Sequence, residues 1–289
     1  MHIQKSFKDQ KETGTLFLVP TPIGNLDDMT FRATETLKEV DLIAAEDTRN
    51  TGLLLKHFEI ETPQTSFHEH NAQEKIPQLI GQLQEGKNLA QVSDAGLPSI
   101  SDPGQDLVTA AIQAGITVVP LPGPSAGITA LIASGLVPQP HIFYGFLPRK
   151  SGQQKAFFEE KQAYPETQIF YESPYRVGDT LTNMLVVYGD RKVVLVRELT
   201  KIYEEFQRGT ISQILAHLEE VPAKGECLII VAGAESPQLE ILTDQELFAK
   251  IDERVAAGIK KNQAIKEVAK EHGLSKSDLY ARYHEDQKT

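Results

Sequence analysis

Glu46, Asp47 and Arg49 stand together in AAEDTRN, two carboxylates and a guanidinium at the end of an apolar run. Such a group can accept a proton, orient a hydroxyl or hold a phosphate. It can equally start a helix, with Asp47 or Thr48 as the cap and Arg49 as a local ion partner. Glu172, in FYESPYR, is a further carboxylate at a strand end. His68 and His70 in FHEHN have strand spacing and no third ligand, so contact with a partner or with a domain seam is expected there rather than a metal. Arg149 and Lys150 in FLPRKSG, and Arg176 after YESPY, are loop cations suited to phosphate; a solvated turn is the plainer reading. Tyr171, Tyr175, Tyr144 and Phe143 are candidates for stacking an unpaired base, although core packing is the safer assignment for Phe143 and Tyr144.

Three further stretches follow strands and are dense in glycine and proline: PTPIGN (20–25), SDAGLPSISDPG (93–104) and PLPGPSAG (120–127). Glycine lets a main chain approach a ligand closely and proline fixes its course. In an open α/β sheet, ligands bind beyond the carboxyl ends of the strands. No GxGxxG follows the first strand and no GxxxxGK[ST] occurs, so the dinucleotide and triphosphate fingerprints are absent. Neither Ser93 nor Ser125 has the GxSxG context of a nucleophile elbow. Carbonyls, hydroxyls and an aspartate without a phosphate-binding lysine suit a neutral or cationic nucleoside, and S-adenosylmethionine fits that description. Structural turns are the alternative. Asp94 either meets the ligand or caps its own turn; Asp102, before Pro103, is expected to cap the next helix.

These groups need elements to hold them. Strands at 15–19, 41–45, 89–92 and 116–119 alternate with amphipathic helices at 31–40, 48–58, 72–84 and 105–114. That rhythm predicts a mainly parallel sheet covered on both faces. After a helix from Ser125, strands near 141–146, 167–172, 192–197, 204–208 and 226–232 are spaced by fewer helices, which predicts a second, mixed sheet. Three helices at 247–257, 261–272 and 275–283 follow, with a helix-turn-helix rhythm in AIKEVAKEHGLSKSDLYARY. The expected division is a flexible N-terminus at 1–14, an α/β domain at 15–123, a second α/β domain at 124–240 with a cleft between the two, and a helical tail at 241–289.

The chain has 289 residues, enough for two ordinary domains, with 40% apolar and 24% charged residues. A net charge of −11 argues against wholesale coating of nucleic acid but leaves room for a local basic face. The tail from residue 249 carries nine Lys/Arg against seven Asp/Glu, and the Lys260–Lys261 region is a candidate docking site. One cysteine, Cys227, cannot form an internal disulfide, and its apolar flanks predict a buried thiol in a reducing cytoplasm. Neither a leader peptide nor a membrane-spanning run is expected.

TPIGNLDDMTFRA, AAEDTR, FHEHN, SDAGLPSISDPG, PLPGPSA, FLPRK and FYESPYR occur in one order over about 160 residues. Together they resemble the bacterial 16S ribosomal RNA cytidine 2′-O-methyltransferases of the tetrapyrrole-methylase superfamily, from about Leu16 to Ala234. The resemblance implies a two-domain α/β fold, S-adenosylmethionine in the cleft, a homodimer, and methylation of a ribose 2′-hydroxyl in the decoding region of the small ribosomal subunit. It also implies cofactor contacts at Pro22, at Ser93, Asp94 and Ala95, at Ser125 and Ala126, and near Tyr171 and Cys227. Glu46, Asp47 and Glu172 are then candidates for the general base, and Arg49 and Arg176 for stabilising a developing alkoxide. RNA contacts fall to His68, His70, Arg149, Lys150 and Arg176. Two rivals remain: a tetrapyrrole C-methyltransferase on the same fold, and a helix-turn-helix regulator bound to nucleic acid. The blocks AEDTR, FHEHN and FYESPYR, and the weakly basic tail, weigh against them; no DNA or membrane partner is expected.

Overall fold

The computed structural model describes residue 4 and residues 13–100, 102–235 and 242–286. Contacts divide the chain into one unit through Ala234 and a second from Glu235. The first sheet is made of β1 (Thr15–Leu18), β2 (Leu42–Ala45), β3 (Gln64–Ser66), β4 (Leu89–Val92) and β5 (Thr117–Pro120), in the order β3-β2-β4-β1-β5. All its pairings are parallel. Strand alternation sends Ile43, Ala45, Ala90 and Val119 into one layer with Leu37 of α1 (Phe31–Glu39) and Leu55 of α2 (Thr48–His57). Leu16, Ala44, Leu89 and Val118 point the other way, onto Leu79 and Leu83 of α3 (Ala72–Gln84) and Leu107 and Ala111 of α4 (Gly104–Gln113). Both faces are thus covered, which is why β4 is buried along its whole length. Because β1 lies between β4 and β5, the loops that follow these three strands leave from one edge.

α5 (Ala126–Ser134) leads into the second sheet, of β6 (His141–Phe146), β7 (Thr167–Glu172), β8 (Lys192–Arg197), β9 (Glu205–Thr210) and β10 (Cys227–Val231). Its order is β6-β7-β10-β8-β9, with β6 and β7 parallel and every other pair antiparallel. The mixed sheet is as expected, but helices are not scarce. α6 (Ser151–Lys161), α7 (Val177–Tyr188) and α8 (Ile211–Glu220) fill three of its four connections. Phe158, Leu181, Met184 and Ile214 of these helices bury one face against Phe170, Leu195 and Ile229. Ala130 and Leu131 of α5 cover the other, against Ile169, Val196 and Ile230. Their polar outer faces hid these helices among strands of strong apolar character.

In the second unit, α9 (Asp244–Ala256), α10 (Lys261–Glu271) and α11 (Lys276–Asp286) enclose a core of Phe248, Ile251, Ile265, Val268, Leu279 and Tyr283. Thr243 and Glu246 form a capping box that starts α9. Gly273, at φ +64, ends the turn after α10, and the Ser275 hydroxyl accepts from the Asp278 N–H at α11.

Candidate functional site

The loops after β1, β4 and β5 meet. Thr21 and Gly96 exchange two backbone hydrogen bonds of 3.0 Å, and the Thr21 hydroxyl donates to the Ser93 carbonyl at 3.1 Å. Gly96, at φ +79, lies so close to its neighbours that a side chain there would stand 3.3 Å from Ile23 and 3.5 Å from the Pro124 carbonyl. One glycine therefore joins all three loops. Two prolines and the Gln91–Asp102 contact hold the second loop in shape. Asp102 accepts from the Gln91 side chain, the Ser99 N–H and the Gly104 N–H, each at 2.8 Å. It satisfies the start of α4 from one position before the cap, which is Pro103. Ser101, beside it, lies outside the described residues.

A second knot of bonds ties this loop to the AEDTR stretch. The Asp94 N–H donates to Glu46 Oε2 at 3.1 Å. The Asp94 carboxylate accepts from the Asp47 N–H at 3.2 Å and from Asn50 Nδ2 at 3.1 Å. Burial lifts the Glu46 carboxyl above the usual glutamate range; the bond from Asp94 N–H opposes the shift, and the charges of Asp94, Asp102 and Asp47 add to it. Asp47 is the reverse case. Its carboxylate caps α2 by accepting from the Arg49 N–H at 2.8 Å and grips the Arg49 guanidinium at 2.6 Å. Those bonds hold it down, to about 2. Neighbouring carboxylates thus differ in basicity, because one is partly desolvated and the other is solvated and paired.

A cavity of about 270 Å³ opens between the first two loops and α2. Thr21, Pro22, Ser93 and Asp94 form one wall and Asn50, Leu53, Leu54 and His57 the other. The sequence reading missed the α2 wall, because Leu53 and His57 look there like ordinary members of an amphipathic helix. A wider concavity of about 590 Å³ on the tail is lined by Asn262, Ser275, Lys276, Ser277 and Tyr280, without a carboxylate or histidine among them. The acid–base groups are at the loops.

The remaining expected residues are spread over several elements. Ser125 is the cap of α5 and Ala126 its first residue, both half-buried, while Ala95 is exposed. Tyr171 packs edge-on against Phe143 at 4.9 Å, and a side chain at Gly127 would stand 3.3 Å from the Phe143 ring. The second sheet is thereby joined to the loop after β5. Cys227 pairs with Glu172 and Arg197 across the β10 ladders, and burial raises its thiol to about 11. Glu172 is buried; it accepts from the Ser173 N–H at 2.7 Å and the Thr180 hydroxyl at 2.8 Å, and binds Arg176 Nη2 at 2.5 Å. These bonds occupy both of its oxygens. Tyr144 stacks on Phe170 inside the core, and Tyr175 is exposed. Arg149 and Lys150 are exposed at the start of α6 with no acidic partner among the described residues. His68 and His70 lie in the turn between β3 and α3, not on a strand, with rings 6.0 Å apart.

A segment the sequence did not single out reaches this site from the second sheet. Between β8 and β9, Glu198 and Thr200 adopt φ +49 and +67, strained for residues with side chains. Lys201 binds Glu198 and Glu226, each at 3.1 Å. This loop presses on the first one: a side chain at Gly24 would stand 2.6 Å from Lys201. The charged RELTKIYEE run after an apolar strand was the available signal.

A family model for tetrapyrrole (corrin/porphyrin) methylases matches residues 15–215. A Streptococcus pyogenes serotype M1 protein named ribosomal RNA small subunit methyltransferase I is 68% identical, covering 99% of this chain and 100% of its own length. A protein of the same name from Bacillus subtilis (strain 168) is 47% identical over 97% of this chain and 98% of its own. Among solved structures, the uroporphyrin-III-C-methyltransferase of Thermus thermophilus superposes with a TM-score of 0.53 at 18% identity, over 76% of this chain and 94% of that one. A diphthine synthase superposes with a TM-score of 0.60 at 12% identity, over 76% and 90%. Those two likenesses are of fold.

Proposed function

The chain belongs to the tetrapyrrole (corrin/porphyrin) methylase family, and from that membership we propose that it transfers a methyl group from S-adenosylmethionine to the 2′-hydroxyl of a cytidine in the decoding region of 16S ribosomal RNA. The observation that carries this reading is the junction of three post-strand loops at Gly96, beside a half-buried glutamate, in a chain 68% identical to a protein named as a small-subunit RNA methyltransferase.

The residues present suit the donor. Asp94 offers carboxylate oxygen to amino or hydroxyl groups, Leu53 and Leu54 offer apolar wall, and among the described residues no lysine lines the cavity to favour a phosphate. Pro22, Ser93, Asp94, Ala95, Ser125, Ala126, Tyr171 and the strand end at Cys227 are the proposed contacts. When bound, S-adenosylmethionine supplies an electrophilic methyl carbon on a sulfonium. What remains for the protein is to align the acceptor oxygen with that carbon and to receive a proton. Glu46 is the base we assign: it is the carboxylate of the edge whose proton affinity is raised, and its bond from Asp94 N–H keeps it beside the cradle. Asp47 acts instead through Arg49, holding that guanidinium at the mouth of α2. Glu172 orients Arg176 by holding its Nη2, and Arg176 Nη1 is buried without a hydrogen-bond partner among the described residues. His68, His70, Arg149 and Lys150 are proposed RNA contacts.

The proposed setting is the small ribosomal subunit in the cytoplasm, with the enzyme as a homodimer. Exposed Ile128 and Ile132, one turn apart on α5, provide an apolar face for a second copy. No helix among the described residues is long and apolar enough to cross a membrane. The test is incubation with methyl-labelled donor and small subunits from cells lacking the enzyme, followed by digestion of the RNA to nucleosides. Label in 2′-O-methylcytidine is the expected result. Label on a base, or in a tetrapyrrole precursor supplied in parallel and not in RNA, would sink the reading.

A further inference from the structure

We propose that Phe146 is the platform on which the base of the target nucleotide stacks, an inference that rests on the RNA-methylation reading above. Phe146 ends β6, and 64% of it is exposed. A β-bulge puts it there. Phe143 pairs with Ile169, but Gly145, not Tyr144, pairs with Phe170, and Phe146 with Tyr171. The extra residue is accommodated by Gly145 at φ +69. In unbroken register Phe146 would share the face of Tyr144 and Phe170, which is buried under α6 and α7. The bulge turns it to the face of Phe143 and Tyr171 instead, with its ring 5.4 Å from that of Tyr171.

Position supplies the rest. Tyr171 and then Phe143 connect Phe146 to Gly127, two residues beyond Ser125 in the third loop of the proposed donor cradle. Arg149 and Lys150 follow three and four residues later, exposed and without acidic partners among the described residues. An exposed aromatic ring with adjoining cations is the arrangement that binds single-stranded nucleic acid, through base stacking and phosphate contact. The donor is itself cationic and has no phosphate, so these cations suit the RNA and not the donor.

The test compares Phe146→Ala, Phe146→Leu and Phe146→Trp with the wild type in the full chain. Methyl transfer to small subunits, donor affinity by calorimetry, and mass in solution are measured for each. Alanine is expected to lower kcat/KM for subunits by about 10- to 100-fold, leucine to restore little, and tryptophan to restore most of it. Donor affinity and mass should not change. Unaltered kcat/KM in Phe146→Ala, with the wild type active, overturns the platform alone. Weakened donor binding would assign the ring to the donor pocket, and a changed mass would assign it to an interface between copies; either overturns the proposal. Should the alanine variant fail to fold, equal rates for leucine and phenylalanine would do the same. A wild-type enzyme that leaves small-subunit RNA unlabelled removes the functional reading as well.

Discussion

Glu46 and Asp47 are adjacent in the chain and opposite in chemistry, because the backbone turns one carboxylate toward Asp94 and leaves the other in solvent with Arg49. The composition of AEDTR contained both roles without distributing them; the helix cap decided it. Glu46→Gln should therefore slow methyl transfer by about 100-fold or more at saturating donor, as loss of a general base does. Asp47→Asn should keep most of the rate, since asparagine also caps a helix. The sign of the pH dependence follows from the direction of the Glu46 shift. A base works deprotonated, so the wild-type rate falls as pH drops through a value above the ordinary glutamate range, and Glu46→Gln removes that limb. A pH profile of single-turnover transfer reads both effects. An unchanged acid limb in the glutamine variant would reassign the base.

At the scale of the element, the loop after β4 owes its shape to Gln91, a buried amide on a strand otherwise apolar. Its side chain donates to Asp102 at 2.8 Å and accepts from the Ser99 hydroxyl at 3.2 Å. A methyl group at Gly104 would stand 2.1 Å from Gln91 Nε2 and 2.5 Å from Ser99 Oγ. Gly104→Ala should accordingly cost about 1–3 kcal/mol, the range for overpacking a tight site, and weaken donor binding. Gly81→Ala, in α3 where nothing lies within 4 Å, should instead gain about 0.5–1 kcal/mol from helix propensity. Thermal melts with and without donor separate the two. Equal melts would mean that the loop adapts to the added methyl.

For the whole molecule, a net charge of −11 must be reconciled with the proposed RNA partner. The proposed answer is local charge: Arg149 and Lys150, three and four residues after Phe146, are exposed and free of ion pairs among the described residues. In the tail, Arg254 pairs with Glu271 and Arg282 with Asp244, which leaves fewer of its cations unpaired. Reversing Arg149 and Lys150 to glutamate should weaken binding to small subunits and flatten the dependence of log affinity on log salt by roughly 1–2, as expected when one or two phosphate contacts are lost. Donor affinity should be unaffected. Binding titrations across a salt series measure the slope, and an unchanged slope would place the docking face elsewhere.

The sequence by itself determined the parallel first sheet, the mixed second one and the three ligand-approachable loops, because these follow from local periodicity and from the backbone habits of glycine and proline. It also marked the residues of the acid–base cluster by type. Only the tertiary structure decided which loops touch, since Gly96 meets Ile23 and Pro124 through chain segments far apart in sequence. The same holds for the 48-residue reach from Glu46 to Asp94, and for the bulge that exposes Phe146. The physical reason is common to all three. Side-chain pattern specifies which face of an element is buried, whereas proton affinity and ring exposure depend on neighbours that long-range packing brings together.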